Sequence, residues 1–275
     1  MDTILQAAIM GIVQGLTEFL PVSSSGHLVI VPYLFGWDDP FITSLAFSVM
    51  LHLGTLVALL VYFRADWIRL VPAGFAAIRD RSLRSDPDRT LAWLLVAATV
   101  PAALAGFLLN DLIETQFRSV LLVAGMLVVG GIVLWLADRF GARTREVEDV
   151  TFPIAIGIGA AQALALVPGI SRSGISISAG RLAGLDRAAA ARFAFLMATP
   201  ITAGAIVFET RKLITGEAGV DVAIAPLVVG MIAALVSGFA AIHFMLRYLR
   251  TRSLTVFVIY RFVLAAIVVI VAATR

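Results

Sequence analysis

Six uninterrupted apolar segments dominate the pattern of hydrophobic and polar positions along this chain. They cover approximately residues 42–63, 91–109, 119–137, 190–208, 222–243 and 254–272. Each segment has close to the roughly 20 residues that a helix needs to cross about 30 Å of hydrocarbon. Composition agrees, because 60% of the 275 residues are hydrophobic and only 14% are charged, a balance foreign to soluble domains. The pattern predicts an all-α integral membrane protein with six transmembrane helices and a single domain over residues 1–275.

Two further apolar segments, about 4–35 and 152–184, are interrupted near their middles by Pro, Gly and Ser. Backbone groups freed by such a break cannot face lipid, because each unsatisfied polar group costs several kcal/mol there. We therefore expect two re-entrant helical hairpins, each entering and leaving the same side of the membrane and buried against the spans.

The two broken segments match each other when the first is shifted by 148 residues. The shift aligns Gln14 with Gln162, and it aligns the residues Ser23, Ser25 and Gly26 with Ser171, Ser173 and Gly174. Three predicted spans, an odd number, lie between the two copies, so the second copy must be inverted. We expect an inverted-topology repeat of approximately residues 1–137 and 150–275, whose two tips converge on a buried polar site near the midplane.

Arginine-rich loops set the expected orientation. Residues 63–89 carry six arginines and residues 138–145 carry three, whereas residues 110–116 carry none. Because basic loops stay inside, residues 110–117 and 209–221 and both termini are expected outside. The 63–89 loop reads as an orientation signal that can also hold anionic headgroups. Three other arginines are expected to snorkel or anchor at the inner interface: Arg181, Arg187 and Arg192.

The tips carry residues suited to phosphate chemistry. Helix N-termini and nests of backbone N–H groups attract anions, and the planar fork of Arg172 suits bidentate phosphate contact. Glu18 is a functional candidate, because a carboxylate at membrane depth costs about 2.5–3.5 kcal/mol on insertion scales. Gln14, one helical turn earlier, adds an oxygen of the kind that Mg²⁺ or Ca²⁺ prefers. His27 is close enough in sequence to act as base or proton donor, so phosphoanhydride cleavage by a serine or a water is plausible.

Structural readings of the same residues compete with these roles. Serines and prolines in membrane helices often only kink them, Gln14 can simply bond across helices, and Arg172 can cap carbonyls of the opposite tip. His52, in mid-span, suits a helix bridge as well as a site and is left unassigned. The glycines of the third span support contacts between copies or within one chain equally well.

Two long motifs carry a family resemblance. "QGLTEFLPVSSSGH" (14–27) and "PGISRSGISISAGRLAGLDRAAAARFAFLMATP" (168–200) resemble the undecaprenyl-diphosphate phosphatase family, also called bacitracin-resistance proteins. The resemblance implies hydrolysis of undecaprenyl diphosphate to undecaprenyl phosphate and inorganic phosphate at the outer face of the bacterial plasma (inner) membrane. That step recycles the lipid carrier of peptidoglycan synthesis and confers bacitracin resistance.

The resemblance also implies roles for individual residues. Glu18 would be a metal-associated acid, Ser24 the nucleophile, His27 an acid/base or the attacking group, and Arg172 the pyrophosphate clamp. The family's first motif often reads Glu-x-x-x-Glu, whereas this chain has Gln14 at the first position, which leaves the stoichiometry of the expected Mg²⁺ or Ca²⁺ open. The remaining predicted substrate-binding residues surround the tips: Gln14, Ser23, Ser25, Gly26, Ser171, Ser173 and Gly174.

The expected partners are a polyprenyl diphosphate lipid and the bilayer, with no nucleic acid and with the oligomeric state open. One other function fits an inverted repeat with broken helices: a secondary transporter or flippase for a phosphorylated lipid or anion. A transporter has no need of a nucleophile, so the serine and histidine favour the enzyme. A purely structural scaffold is disfavoured, because it would hold Glu18 and Arg172 at depth without purpose.

Overall fold

The computed structural model describes residues 2–83, 86–109, 119–142, 144–215 and 223–275, without the side chains of residues 213 and 214. The described chain is helical, and its one β-bridge joins Arg145 to Leu185. Its α-helices, in chain order, are α1 (Thr3–Phe19), α2 (Ser24–Phe35), α3 (Leu45–Tyr62), α4 (Arg64–Arg79), α5 (Pro87–Leu108), α6 (Val120–Phe140), α7 (Phe152–Ala163), α8 (Arg172–Leu182), α9 (Arg187–Thr215), α10 (Ile224–Tyr248) and α11 (Thr255–Thr274).

Six of these helices, α3, α5, α6, α9, α10 and α11, are long and apolar enough to cross a membrane. They coincide with the six predicted spans, so that prediction is confirmed and the chain is a multi-pass membrane protein. Observed bounds extend past several predicted ends, most of all in α9, which has 29 residues. The predicted external loop 110–117 lies outside the described residues. Of the predicted loop 209–221, residues 209–215 instead continue α9, and residues 216–221 lie outside the described residues.

Helix α4 occupies a segment that the sequence analysis treated as a loop. Arg64, Arg69 and Arg79 give this segment its charge, while Leu70 and Ala77 are buried against the protein. Such spacing is that of an amphipathic surface helix. The arginines mask the apolar periodicity of this segment in the sequence. Charge alone therefore predicts a loop where the structure has a helix.

The expectation that the inner arginines snorkel is wrong for Arg181, which is completely buried. Its guanidinium donates to the carbonyl oxygens of Gly141, Ala142 and Leu185. Backbone carbonyls therefore replace the headgroup water that a snorkelling arginine would reach. Arg187 likewise donates to both carboxylate oxygens of Asp138, at 2.6 and 3.1 Å.

Arg192 is also held within the protein, although it is more exposed than Arg181. Its Nη2 donates to Asp66 Oδ1 at 2.7 Å, and its guanidinium carbon lies 5.8 Å from the centre of the Phe63 ring. Arg192 therefore joins α9 to the start of α4.

Close helix contacts position the two broken segments. Helix α1 packs along α10, and α7 packs along α5. Gly11 and Gly159 permit these contacts, because a Cβ atom would overlap the carbonyl oxygen of Gly230 at the first and of Ala98 at the second. Without these glycines the two pairs of helices could not approach each other this closely.

Glycines of α6 are used inside the chain. A Cβ atom at Gly130 would overlap the guanidinium of Arg261, and one at Gly131 would lie 2.8 Å from the Phe262 ring. Packing of α6 on α11 therefore accounts for both glycines without a second copy of the protein.

Candidate functional site

Each broken segment turns at a serine whose backbone has a positive φ. Ser23 caps α2 with a φ of 75°, and Ser171 caps α8 with a φ of 76°. Each side-chain oxygen accepts a hydrogen bond from the N–H of a glycine three residues on, Gly26 or Gly174. A non-glycine residue held in such a region costs about 1–3 kcal/mol and persists only when its surroundings enforce it. The two breaks thus share one local conformation, as their sequence match predicts.

The two breaks contact each other directly. The Gly169 N–H in the second break donates to Ser23 Oγ in the first, at 3.1 Å. In return, Ser173 Oγ donates to the Leu20 carbonyl at 3.0 Å. The prediction that the two tips meet is therefore confirmed, and the serines that form the tips also join them.

Arg261 of α11 links both breaks to α6 through hydrogen bonds. The side chain is completely buried and donates to backbone carbonyl oxygens. Nη1 reaches Pro21 in the first break at 3.1 Å, and Nη2 reaches Gly169 and Ile170 in the second at 2.6 and 3.0 Å. Nε and Nη2 also bond the carbonyls of Leu127 and Met126 in α6. The guanidinium therefore replaces the backbone donors that both breaks lack.

Several polar side chains of the two broken segments and of α3 surround a buried carboxylate, that of Glu18. Glu18, near the end of α1, accepts hydrogen bonds at Oε2 from Gln14 Nε2 at 2.9 Å and from Ser24 Oγ at 2.5 Å. Its other oxygen, Oε1, forms an ion pair with Arg172 Nη2. His52 Nε2, from α3, lies 3.4 Å from Oε2. One carboxylate thus joins four side chains, drawn from both broken segments and from α3.

Arg172, the first residue of α8, also contacts α9. Its Nη1 donates to Thr202 Oγ1 and to the Ala198 carbonyl. About a fifth of its side chain is accessible. The guanidinium is therefore fixed at two points while one surface remains open to a ligand.

A cavity of about 500 Å³ opens beside this network. Its volume lies within the range of small-molecule sites. Its wall joins polar side chains at the tips to an apolar surface of α3, α5 and α9, as an amphiphile requires. The polar lining residues are Glu18, Ser24, Ser25, His52, Thr99, Gln162, Arg172, Thr202 and Glu209.

The structure brings most of the predicted site residues together. Gln14, Glu18, Ser24 and Arg172 form one hydrogen-bonded network, and Ser25 lines the cavity. The other predicted substrate-binding residues build the two tips that carry this network: Ser23, Gly26, Ser171, Ser173 and Gly174.

His27 is placed elsewhere. Its Nδ1 lies 2.7 Å from the Ser23 carbonyl, and its Nε2 lies 2.8 Å from the hydroxyl of Tyr260, on whose ring it stacks. A carbonyl only accepts, so Nδ1 carries the proton and Nε2 of the neutral ring accepts from tyrosine. Both nitrogens are engaged away from Ser24, and His27 is not among the residues that line the cavity.

Several residues of the site were missed from sequence. His52 and Arg261 are ionisable residues inside predicted spans, and that alone is a signal of function. Thr202 carried no signal, because threonines are common in membrane helices. Gln162 was noted only as the repeat partner of Gln14.

Comparisons with known proteins identify the family of this chain. A family model described as bacitracin resistance protein BacA matches residues 7–267. The chain belongs to the BacA family. Similar curated BacA relatives named undecaprenyl-diphosphatase come from Gemmatimonas aurantiaca, 48% identical with 99% of each chain covered, and Desulforudis audaxviator, 46% identical with 98% covered. A third, from Rubrobacter xylanophilus, is 48% identical over 96% of this chain and 97% of the relative.

The donor set of this BacA family member fits a hard cation only in part. The described residues contain no group of three or more His, Asp or Glu side chains that could hold a metal. Gln14 Oε1, however, is buried beside the Glu18 carboxylate and has no hydrogen-bond partner in the described chain. Mg²⁺ is commonly held by one or two carboxylates, with substrate phosphates and waters completing its shell. Glu18 and Gln14 fit a cation of that kind.

Proposed function

We propose that this protein hydrolyses undecaprenyl diphosphate to undecaprenyl phosphate and inorganic phosphate. The observation that carries the proposal is the Ser24 hydroxyl on the Glu18 carboxylate, beside Arg172 in a cavity. The chain is 42–48% identical, over nearly its whole length, to proteins named undecaprenyl-diphosphatase. Recycling of the lipid carrier for peptidoglycan synthesis, and resistance to bacitracin, follow from this activity and from the family.

The proposed chemistry starts at Ser24. Glu18 Oε2 takes the proton of the Ser24 hydroxyl, across their 2.5 Å hydrogen bond, while Oγ attacks the terminal phosphorus. The bond from that phosphorus to the bridging oxygen breaks, and undecaprenyl phosphate leaves with the electron pair. Water then attacks the phosphoserine, and the bond from phosphorus to Ser24 Oγ breaks. Glu18 returns to Oγ the proton that it took, and inorganic phosphate leaves with both protons of the water. General-base assistance of this kind contributes about 10²–10⁴-fold.

Arg172 would stabilise the charge that develops on the transferring phosphoryl oxygens. In the structure its Nη2 is paired with Glu18, so a bound diphosphate competes with that carboxylate for the guanidinium. Withdrawal of Arg172 towards the substrate would free Glu18 to accept the serine proton. Substrate binding and activation of the nucleophile are thereby coupled through one side chain.

His52 is better placed than His27 to carry a proton in the cavity. Its Nδ1 donates to the Ser48 carbonyl at 2.8 Å, which turns Nε2 towards Glu18. A proton on Nε2 can be given to the departing bridging oxygen. We assign His27 a positioning role instead, because its hydrogen bonds hold the first tip against Tyr260.

A divalent cation, Mg²⁺ or Ca²⁺, would be held by Glu18 together with Gln14 Oε1 and the phosphate oxygens of the substrate. When bound it would neutralise part of the diphosphate charge. The glutamine in place of a second carboxylate predicts weaker cation binding than a Glu-x-x-x-Glu motif would give.

We further propose that α1–α2 and α7–α8 are re-entrant hairpins of an inverted repeat in a single domain. Two observations support this: both breaks share one serine-capped conformation, and α1 packs on α10 as α7 packs on α5. The arginine distribution supports a cytoplasmic position for residues 63–89. The active site would then open to the outer face of the bacterial inner membrane.

The prenyl chain would enter from the bilayer. A cavity of about 500 Å³ with an apolar wall holds a headgroup and the first part of a chain. The rest of a polyprenyl chain would leave between α3, α5 and α9, because lipid is the medium in which it is already dissolved. A lateral opening rather than a closed pocket is therefore expected.

Phosphate release from undecaprenyl diphosphate by the purified protein in detergent with Mg²⁺ tests the proposal. Wild type should release phosphate, and Glu18→Ala and Arg172→Ala should each lower kcat/KM by about 10²–10⁴-fold. Arg89→Ala serves as the matched control, because its ion pair with Asp80 lies at the protein surface. Equal phosphate release from wild type and Glu18→Ala protein would refute the assignment.

Ser24→Ala separates serine from water as the nucleophile. Rapid acid quenching of wild type with substrate labelled in the terminal phosphate should trap label on the protein, and Ser24→Ala should trap none. Flux of lipid phosphate in proteoliposomes that survives Ser24→Ala would instead favour a transporter. A transporter would have no need of the contact between Ser24 and Glu18.

A further inference from the structure

Gln162 carries a buried amide that no described residue bonds. It lies near the end of α7, is 3% exposed, and lines the cavity that holds Glu18 and Arg172. Neither Oε1 nor Nε2 has a hydrogen-bond partner among the described residues. Buried side-chain amides in native proteins are nearly always satisfied, so an exception requires an explanation.

The described side chains of the surrounding wall do not bond this amide. Thr99, in the same wall, already donates its hydroxyl to the Leu95 carbonyl at 2.8 Å. Ala102, Ala165 and Leu166, which also line the cavity, offer no side-chain donor or acceptor. Because no described residue bonds the amide, a molecule in the cavity that Gln162 lines can supply its partner.

The sequence repeat indicates what that partner is. Gln14, the counterpart of Gln162, donates its Nε2 to the Glu18 carboxylate. The 148-residue shift places Leu166 opposite Glu18, so the second copy has the amide but lacks the carboxylate. An anionic oxygen supplied by a ligand would fill the place that a side-chain oxygen fills in the first copy.

We infer that Gln162 binds the diphosphate headgroup. Nε2 donates to a non-bridging phosphoryl oxygen, and Oε1 accepts from a hydroxyl of the protonated terminal phosphate. The inference rests on the proposed function of the cavity, and it makes Gln162 a substrate-binding residue in the cavity that Arg172 also lines. A group that is both acceptor and donor satisfies both halves of the amide, whereas an apolar chain satisfies neither.

The test compares Gln162→Leu with Gln6→Leu in the full-length protein in detergent. Gln6 is also buried and also has an unpartnered Oε1, but it does not line the cavity. The readouts are KM and kcat for undecaprenyl diphosphate, the inhibition constant of inorganic pyrophosphate, and the melting temperature.

Gln162→Leu should raise both KM and the pyrophosphate inhibition constant by about tenfold, the usual worth of a lost hydrogen bond to a charged group. Its melting temperature should not fall, because leucine relieves an unpaired buried amide. Gln162→Glu should weaken pyrophosphate more than Gln162→Leu does, through charge repulsion. Gln6→Leu should leave both constants within twofold of wild type.

Two outcomes would overturn the inference. Constants within twofold of wild type in Gln162→Leu would show that the amide does not touch the headgroup. A lower melting temperature together with unchanged pyrophosphate binding per folded molecule would make Gln162 a structural residue. Phosphate release by wild type tests the proposed function separately, because pyrophosphate binding is also measurable as a thermal shift without turnover.

Discussion

Replacing Arg261 with methionine removes a side chain that reaches the backbone of both breaks from α11, a helix outside either break. The guanidinium serves five backbone carbonyls, of which two belong to α6 and already lie within a helix. The other three, those of Pro21, Gly169 and Ile170, lie outside any helix and have no intrahelical donor. Methionine fills much of the same volume but donates no hydrogen bond.

The size of the effect follows from those three carbonyls. A buried polar group left unsatisfied costs about 1–3 kcal/mol, so three give roughly 3–9 kcal/mol. Removal of a buried cation returns several kcal/mol of desolvation. A net loss of about 3 kcal/mol is expected, which corresponds to a fall in melting temperature of roughly 6–12 °C for a chain of this size.

Melting temperature and phosphate release should both be measured in detergent, with hydrogen exchange followed over residues 20–23 and 167–171. Arg181→Met is the matched control, since Arg181 is equally buried and also donates to backbone carbonyls, near the C-terminal end of α8. Both variants should lose stability. Only Arg261→Met should speed exchange at the breaks and lower kcat per folded molecule, by about 10²-fold, because misplacing catalytic groups by about 1 Å has that effect.

The reasoning fails under either of two results. Arg261→Met could keep wild-type exchange at both breaks, which would mean that the serine contacts between the tips suffice without the arginine. Alternatively, Arg181→Met could lose as much kcat per folded molecule, which would make the effect one of general stability.

Three further predictions concern the network and its cation. His52→Gln should lower kcat about 10²-fold with little change in melting temperature. His27→Gln should instead lower the melting temperature. Steady-state kinetics and thermal scans of both variants distinguish the two roles. EDTA should abolish phosphate release, and Mg²⁺ should restore it. Gln14→Glu should lower the Mg²⁺ concentration for half-maximal activity several-fold, because it adds a second carboxylate to the expected cation site. Ser171→Ala should be less stable than Ser171→Gly by about 1 kcal/mol. Glycine tolerates the positive φ at this position, and loss of the helix cap destabilises the protein less with glycine than with alanine. Equal melting temperatures of the two variants would contradict this.

Local patterns were sufficient for the six spans and for the two breaks. Apolar length alone determines a span, because hydrocarbon forces the backbone to satisfy its own hydrogen bonds. The same rule made the Pro, Gly and Ser interruptions informative, and the match of Ser23 to Ser171 predicted a shared conformation that the φ angles reproduce. Helix α4 escaped notice because charge and apolar spacing overlap in one short segment.

The long-range partners could not be read from the sequence. Glu18 and Arg172 are 154 residues apart, and His27 and Tyr260 are 233 apart. The four-residue spacing of Gln14 and Glu18 predicted their shared face correctly. The proximity of His27 to Ser24 in the chain did not predict contact, because the direction of a side chain about its helix decides that.

The sequence by itself determined the membrane class, the six spans, the paired breaks and the identity of the carboxylate, serine and arginine. Those features depend on hydrophobicity and local backbone chemistry, which neighbouring residues specify. Only the tertiary structure decided which histidine faces Glu18, that Arg261 holds both breaks, and that no described residue bonds Gln162. Such facts depend on which helix faces pack together, and packing is settled by close approach of distant segments, as at Gly11 and Gly159.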